Sequence, residues 1–191
     1  MARYARFNMP EESSDTYETY AQKYVREIER SRAEKDNFFK ADPDSPIETA
    51  GFVGLTYYPV SEAWRVVATL EPFDVQDVVL LTTSVGDTQP YRRVGLAHFS
   101  AEGRACALTL YRPTFETANT HLFVPFHDAT SGGETYGAGR YLEASAENEE
   151  SVILDFNRCY HPYCAYSARY RCPLPPTENH LDVAVVAGEK L

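Results

Sequence analysis

The chain has 191 residues, 43% of them hydrophobic, and a formal net charge of -10, which sets the scale of one domain with a sizeable core. A surface this acidic repels nucleic acid and anionic lipid, so neither is a predicted partner. No run approaches the roughly 18 apolar residues of a membrane span, and "MARYARFNMPEESS" lacks the apolar centre of a secretory signal.

The expected location is therefore cytoplasmic, with its four cysteines mostly reduced. Only Lys23, Lys35, Lys40 and Lys190 are lysines. Abundant acid with scarce lysine fits a high-salt cytosol, where screening removes self-repulsion. A GC-rich genome favouring arginine codons gives the same composition.

Residues 1–13 read as a flexible tail, followed by a helix over 14–40. Asp15 can cap it, with Glu18 three residues on as in a capping box. Tyr17, Tyr20, Ala21, Tyr24, Val25 and Ile28 fall on one face at three- and four-residue spacing. Lys23 with Glu27 and Arg30 with Glu34 add pairs four residues apart.

After Pro46 the period changes to two, and 46–191 is expected to be a single β domain. In "AWRVVATLE", Trp64, Val66, Ala68 and Leu70 alternate with Arg65, Val67, Thr69 and Glu71. "DVVLLTTS", "YRRVGLAHF", "RACALTLY", "HLFVPF", "SVILDF" and "DVAVVAG" follow, with "SAEGRA" as a hairpin turn carried by Gly103. The predicted fold is mainly β, an antiparallel sandwich or barrel with one N-terminal amphipathic helix.

Three stretches could carry chemistry. "HDATSGGETYGAGRY" (127–141) is rich in glycine and hydroxyls. It is not a nucleotide loop: Ala138 and Gly139 follow Gly137 where a P-loop needs lysine and a hydroxyl, and Leu142 occupies the third glycine position of a dinucleotide fingerprint. Its backbone N–H groups can still form an anion-binding nest, with Thr130, Ser131, Thr135 and Tyr136 as donors and Arg140 as a forked cation. Turn chemistry alone is the competing explanation, with Arg140 paired to Asp128 or Asp155.

"DFNRCYHPYCAYSARYRCPLPP" (155–176) has no regular period, and a loop this long in a compact domain is usually functional. Cys159, His161, Cys164 and Cys172 could ligate zinc, but C-x-H-x2-C-x7-C lacks paired knuckles. Buried thiols or a Cys164–Cys172 bridge are the alternatives, and no metal or cofactor is assigned. In "HLFVPFHD", His121 and His127 share a face, too far apart along an extended strand to share one metal, and read as partly exposed histidines at strand ends. His98 and His180 are isolated.

"FVGLTYYPV", "LFVPFHDATSGGETYGAGRYL", "LDFNRCYHPYCAYS" and "CPLPPTENHLDVAVVAGEK" together resemble the uncharacterised prokaryotic family catalogued as domain of unknown function 1684, from about residue 46 onward. Larger bacterial members resemble this chain behind an extra N-terminal region. The family pattern F-x-D-x-T-S-G-x-E-T-Y-G-x-G-R corresponds to Phe126 through Arg140, with His127 where Arg is frequent. D-F-N-x-x-Y-N-P-x-C-A corresponds to Asp155 through Ala165, with Cys159 where Ala is common and His161 where Asn is usual. Those departures weaken the zinc reading; Cys164 and Cys172 match. The resemblance implies no activity, substrate or cofactor.

The functional expectation is a small polar or anionic ligand held by Asp128, Thr130, Ser131, Thr135, Tyr136, Arg140, Asp155 and Asn157, gathered at one end of the fold. The alternative is a structural or interaction domain in which these residues form a buried bracing network. A carboxylate beside arginine could act as a general base, but no nucleophile–base pair can be named, so no reaction is assigned.

Overall fold

The computed structural model describes residues 18–47, 52–115 and 122–191. Asp15, Tyr17, the 1–13 stretch and His121 lie outside these residues. Helix α1 spans Tyr20–Ala41. Its cap is Thr19: the Thr19 hydroxyl accepts from the Gln22 N–H while the Gln22 side chain reaches back to the Thr19 N–H, satisfying two free helix-end donors. Tyr24, Ile28 and Phe39 are buried along one face, with Ala21 and Val25 partly covered, but Tyr20 points to solvent. Arg30 pairs with Glu34 at 3.7 Å. Glu27 pairs with Arg158 on the β domain rather than with Lys23.

The strands in chain order are β1 (Thr56–Tyr57), β2 (Arg65–Pro72), β3 (Val78–Thr82), β4 (Thr88–Ala101), β5 (Arg104–Pro113), β6 (Leu122–Phe126), β7 (Arg140–Ala146), β8 (Ser151–Asp155) and β9 (Glu189–Lys190). Six of them, ordered β2-β8-β7-β6-β5-β4, close into an antiparallel barrel through pairing of β2 with β4. β3 extends the sheet from the other half of β4. β4 can serve three neighbours because its register shifts between Arg93 and Gly95. Gly95 lies opposite Pro72, where a Cβ would stand 2.6 Å from the Glu71 carbonyl oxygen. Only glycine allows that backbone approach, and it is where the barrel shuts.

Closure leaves an interior filled by alternate residues, which is why the strands read with period two. Trp64, Ala68, Leu108, Leu110, Val124, Leu142 and Leu154 belong to this core, with Val66 and Leu70 packed against it. Val67 and Glu71, on the other face of β2, are exposed. β4 and β5 are joined by the turn at Glu102–Gly103, as the sequence predicts. No helix of the described residues is long and apolar enough to cross a membrane.

One expected strand needs correction, and one strand was missed. "DVAVVAG" is not a strand: residues 182–188 run irregularly, and β9 begins at Glu189. "RYLEASA", which lacks an evident pattern, is the barrel strand β7.

A second apolar layer lies outside the barrel. Leu81, Tyr91, Tyr111, Phe123, Tyr141 and Cys172 pack there, flanked by Tyr160, Tyr163, Cys164 and Tyr170. The 155–176 segment crosses this face. It pairs Tyr160 with Tyr141 and Pro173 with Thr83, and Leu174 donates to the Thr82 carbonyl.

Candidate functional site

The predicted site residues fall into two clusters. In the first, Arg140 opens β7 opposite Phe126, and its side chain is wholly inside. Nη1 donates to the carbonyls of Ala187 (2.6 Å) and Glu189 (3.1 Å), and Nη2 to Val185 O (2.8 Å) and Asp128 Oδ1 (3.3 Å). Asp128 is equally buried and accepts from Thr130 Oγ1, Ser131 Oγ and the Val185 N–H. Thr135 Oγ1 meets Thr130 Oγ1 at 3.0 Å. The glycine-rich run folds back on itself, its amides donating largely to its own carbonyls, such as Gly132 N–H to Thr135 O and Thr135 N–H to Thr130 O. Gly139 has φ +89°, and a Cβ there would meet Phe126 O at 2.6 Å. That position is a turn requirement.

In the second cluster, Asp155 and Asn157 receive helix α1. The Tyr24 hydroxyl donates to Asp155 Oδ1 (2.7 Å) and accepts from Asn157 Nδ2 (2.9 Å), while Asn157 also binds both backbone groups of Ser61. The two clusters do not form one pocket wall. Between them runs the segment 185–189.

Glu189, which sequence reasoning missed, is the link. Its backbone carbonyl accepts from Arg140, and its buried carboxylate accepts from Lys35 Nζ, the His161 N–H (2.8 Å) and the Tyr166 hydroxyl (2.7 Å). The nearby His161 ring accepts from the Tyr136 N–H (3.3 Å), and burial depresses its pKa to about 4 despite the pull of Glu189. His127 packs beside His180, ring centroids 6.4 Å apart, its pKa lowered mainly by burial.

The zinc candidates point in different directions. Cys159 Sγ donates to the Ala187 carbonyl, whereas Cys164 and Cys172 meet beneath Tyr163. Among the described residues no group of three His, Cys, Asp or Glu side chains is placed to hold a metal ion.

Of the cavities adjoining the 155–176 segment, two are walled by both Lys35 and Tyr160. One is a cleft of about 610 Å³ lined by Phe38, Phe39, Tyr141, Tyr160, Tyr163 and Tyr170, with Lys35 and Arg171. The other is a recess of about 110 Å³ lined by Arg32, Tyr57, Asn157 and Glu189 among others. In the recess, the Tyr57 hydroxyl and Arg32 Nε are buried without a protein partner. The other Arg32 nitrogens bind the carbonyls of Tyr58 and Asn157, and burial lowers its pKa. The helix residues of these cavities carry no sequence signal of their own, since Phe38 and Phe39 read only as the end of a helix.

No curated protein is similar to the chain. The solution NMR structure of an uncharacterised protein of Haloarcula marismortui is similar, with 33% identity and a TM-score of 0.71, over 90% of this chain and 96% of that one. The family model for a protein of unknown function, DUF1684, matches residues 50–190, which include β1 to β9, the glycine-rich run and the Cys/Pro segment. The chain belongs to the DUF1684 family.

Proposed function

We propose that the domain binds a small organic anion with a flat apolar body, held between helix α1 and the 155–176 segment. The observation that carries this reading is the aromatic cleft beside a recess in which a buried guanidinium and a phenol each have an unused donor. The cleft volume falls in the ordinary range for small-molecule sites, which are mostly apolar with a few polar anchors. Arg32 carries a desolvated charge whose partners are carbonyls, so a carboxylate there would gain a charge-assisted bond. Asn157 borders the recess. The Arg140 set would then stand behind the site, through Glu189 and Lys35, rather than touch the ligand.

The test is thermal shift and calorimetric titration of the full chain with 1-naphthoate, its cationic counterpart 1-naphthylmethylamine, and inorganic phosphate. Naphthoate is expected to raise the melting temperature, and the amine is not. Tyr170→Ala removes one half-buried wall and should weaken naphthoate binding about tenfold, or about 1.4 kcal/mol, with folding retained. Stabilisation by phosphate alone, abolished by Arg140→Lys, would move the ligand to the glycine-rich run and overturn the proposal. So would a naphthoate response unaffected by Tyr170→Ala.

A further inference from the structure

A separate chemistry is built beside the cleft, where two thiols meet a phenol. The Cys164 N–H donates to Cys172 Sγ at 3.3 Å, and both residues belong to the same apolar cluster outside the barrel. The Tyr136 hydroxyl, carried by the glycine-rich run, faces this pair: burial, with the neighbouring Cys164 thiol, raises its pKa. Cys164 is half-buried and Cys172 buried. The backbone of Cys172 is fixed on both sides, with its N–H on Ser84 Oγ and its carbonyl accepting from the Ser84 N–H. Cys106 and Cys159 have no such arrangement: Cys106 bonds its thiol to Arg104 O, and Cys159 to Ala187 O.

We propose that Cys164 and Cys172 are a thiol pair oxidised by hydroperoxides to an intrachain disulfide. Cys164, the more exposed thiol, meets the oxidant, and Tyr136 donates to its sulfur as negative charge is held there. The Cys164 thiolate attacks one oxygen of the peroxide; the S–O bond forms, the O–O bond breaks, and the departing oxygen takes a proton as water or alcohol. Cys172 then loses its proton and attacks the Cys164 sulfur; the S–S bond forms, the S–O bond breaks, and hydroxide leaves with that proton as water. Two electrons pass from the thiols to the peroxide. With the Cys164 N–H already on Cys172 Sγ, the two sulfurs close to a bond of about 2.05 Å. Burial pushes the Cys172 thiol up to about 11, which suits it to second place rather than first. Closure would tie the two ends of the Tyr163–Cys172 wall of the cleft together.

The test oxidises the reduced full chain with hydrogen peroxide, blocks remaining thiols with iodoacetamide, and maps the products by mass spectrometry. Chymotryptic cleavage at Tyr160 and Tyr163 separates Cys159 from Cys164. The titratable thiols of the denatured protein should fall from four to about two, with Cys164 linked to Cys172 and dithiothreitol restoring all of them. In Cys172→Ser or Cys172→Ala, Cys164 should accumulate as a dimedone-trapped sulfenic acid. Tyr136→Phe should slow oxidation by about two- to tenfold, the worth of one hydrogen bond. Wild-type Cys164 running on to sulfinic acid, a disulfide through Cys106 or Cys159, or absence of the dimedone adduct would each overturn the pair. An unchanged rate in Tyr136→Phe would overturn the part given to that tyrosine.

Discussion

Arg140→Ala is the sharpest perturbation the fold offers. The side chain is fully buried and satisfies four acceptors at once: one carboxylate and the carbonyls of Val185, Ala187 and Glu189. Removing it leaves Asp128 with its hydroxyl and amide donors but without the opposite charge. Breaking such a pair from one side typically costs about 3–5 kcal/mol. In a chain of this length each kcal/mol moves the melting temperature by about 2–4 °C, so the fall should be about 6–20 °C. Arg140→Lys keeps the charge, but one ammonium cannot fork between Asp128 and three carbonyls on a separate segment, so it should recover only part of the loss. Urea denaturation of both variants, with Asp128→Asn alone and combined with Arg140→Ala, measures the coupling. If Arg140→Ala costs no more than about 0.5 kcal/mol, as an ordinary surface change would, the guanidinium does not hold the C-terminal segment and the reasoning fails.

Three further outcomes are expected. The net charge of -10 predicts a melting temperature that rises between low salt and molar potassium chloride as self-repulsion is screened; a flat or falling curve rejects it. With Cys159 directed away from the Cys164–Cys172 pair, elemental analysis should find no stoichiometric zinc and a chelator should leave melting unchanged; one equivalent of bound metal overturns this. His161 is held at about 4 against an ordinary 6.5, so between those values the unfolded chain takes up a proton that the folded chain refuses. Its effect is absent above about pH 6.5 and grows as pH falls, to about 3 kcal/mol of lost stability near pH 4. The stability advantage of wild type over His161→Gln should shrink across that window, and a pH-independent difference refutes the assignment.

The barrel was legible because closure makes every strand one-sided. β2 shows it plainly: Ala68 goes inward while Val67 stays in solvent. β7 was not legible because its first inward position is an arginine, which breaks the alternation that Leu142 and Ala144 continue. "DVAVVAG" misled for the opposite reason. It has the apolar pattern of a strand, and Val183, Val185 and Ala187 are buried, but the Val185 amide and the Val185 and Ala187 carbonyls bond to side chains of Asp128 and Arg140 instead of a ladder. Side-chain satisfaction of backbone groups leaves no periodic trace. The glycine-rich run and the Cys/Pro segment were both legible as unusual loops. The cleft was not, because Lys35, Phe38 and Phe39 come from a helix whose sequence reports only its own amphipathic face, and Glu189 gives no signal before its partners are seen.

That placement of Glu189 has a structural consequence. Its carbonyl is tied to Arg140, deep behind the glycine-rich run, while its carboxylate is tied to Lys35, Tyr166 and the His161 amide at the edge of the two cavities. The neighbouring amide of Tyr58 donates to Gly188 O, and the Tyr58 hydroxyl meets Glu134 in the run itself. Arg140 and helix α1 are therefore linked by contacts to one residue, Glu189. Lys35 is the other end of that path, set against the rings of Tyr160 and Phe39 at 4.8 and 5.2 Å. An ammonium so placed is held by π-faces as well as by a carboxylate, and it fixes the wall common to the aromatic cleft and the polar recess. The buried Arg140 cluster and the open cleft are thus joined by a short chain of contacts: Arg140 binds the carbonyls of the C-terminal segment, and Glu189 of that segment binds Lys35.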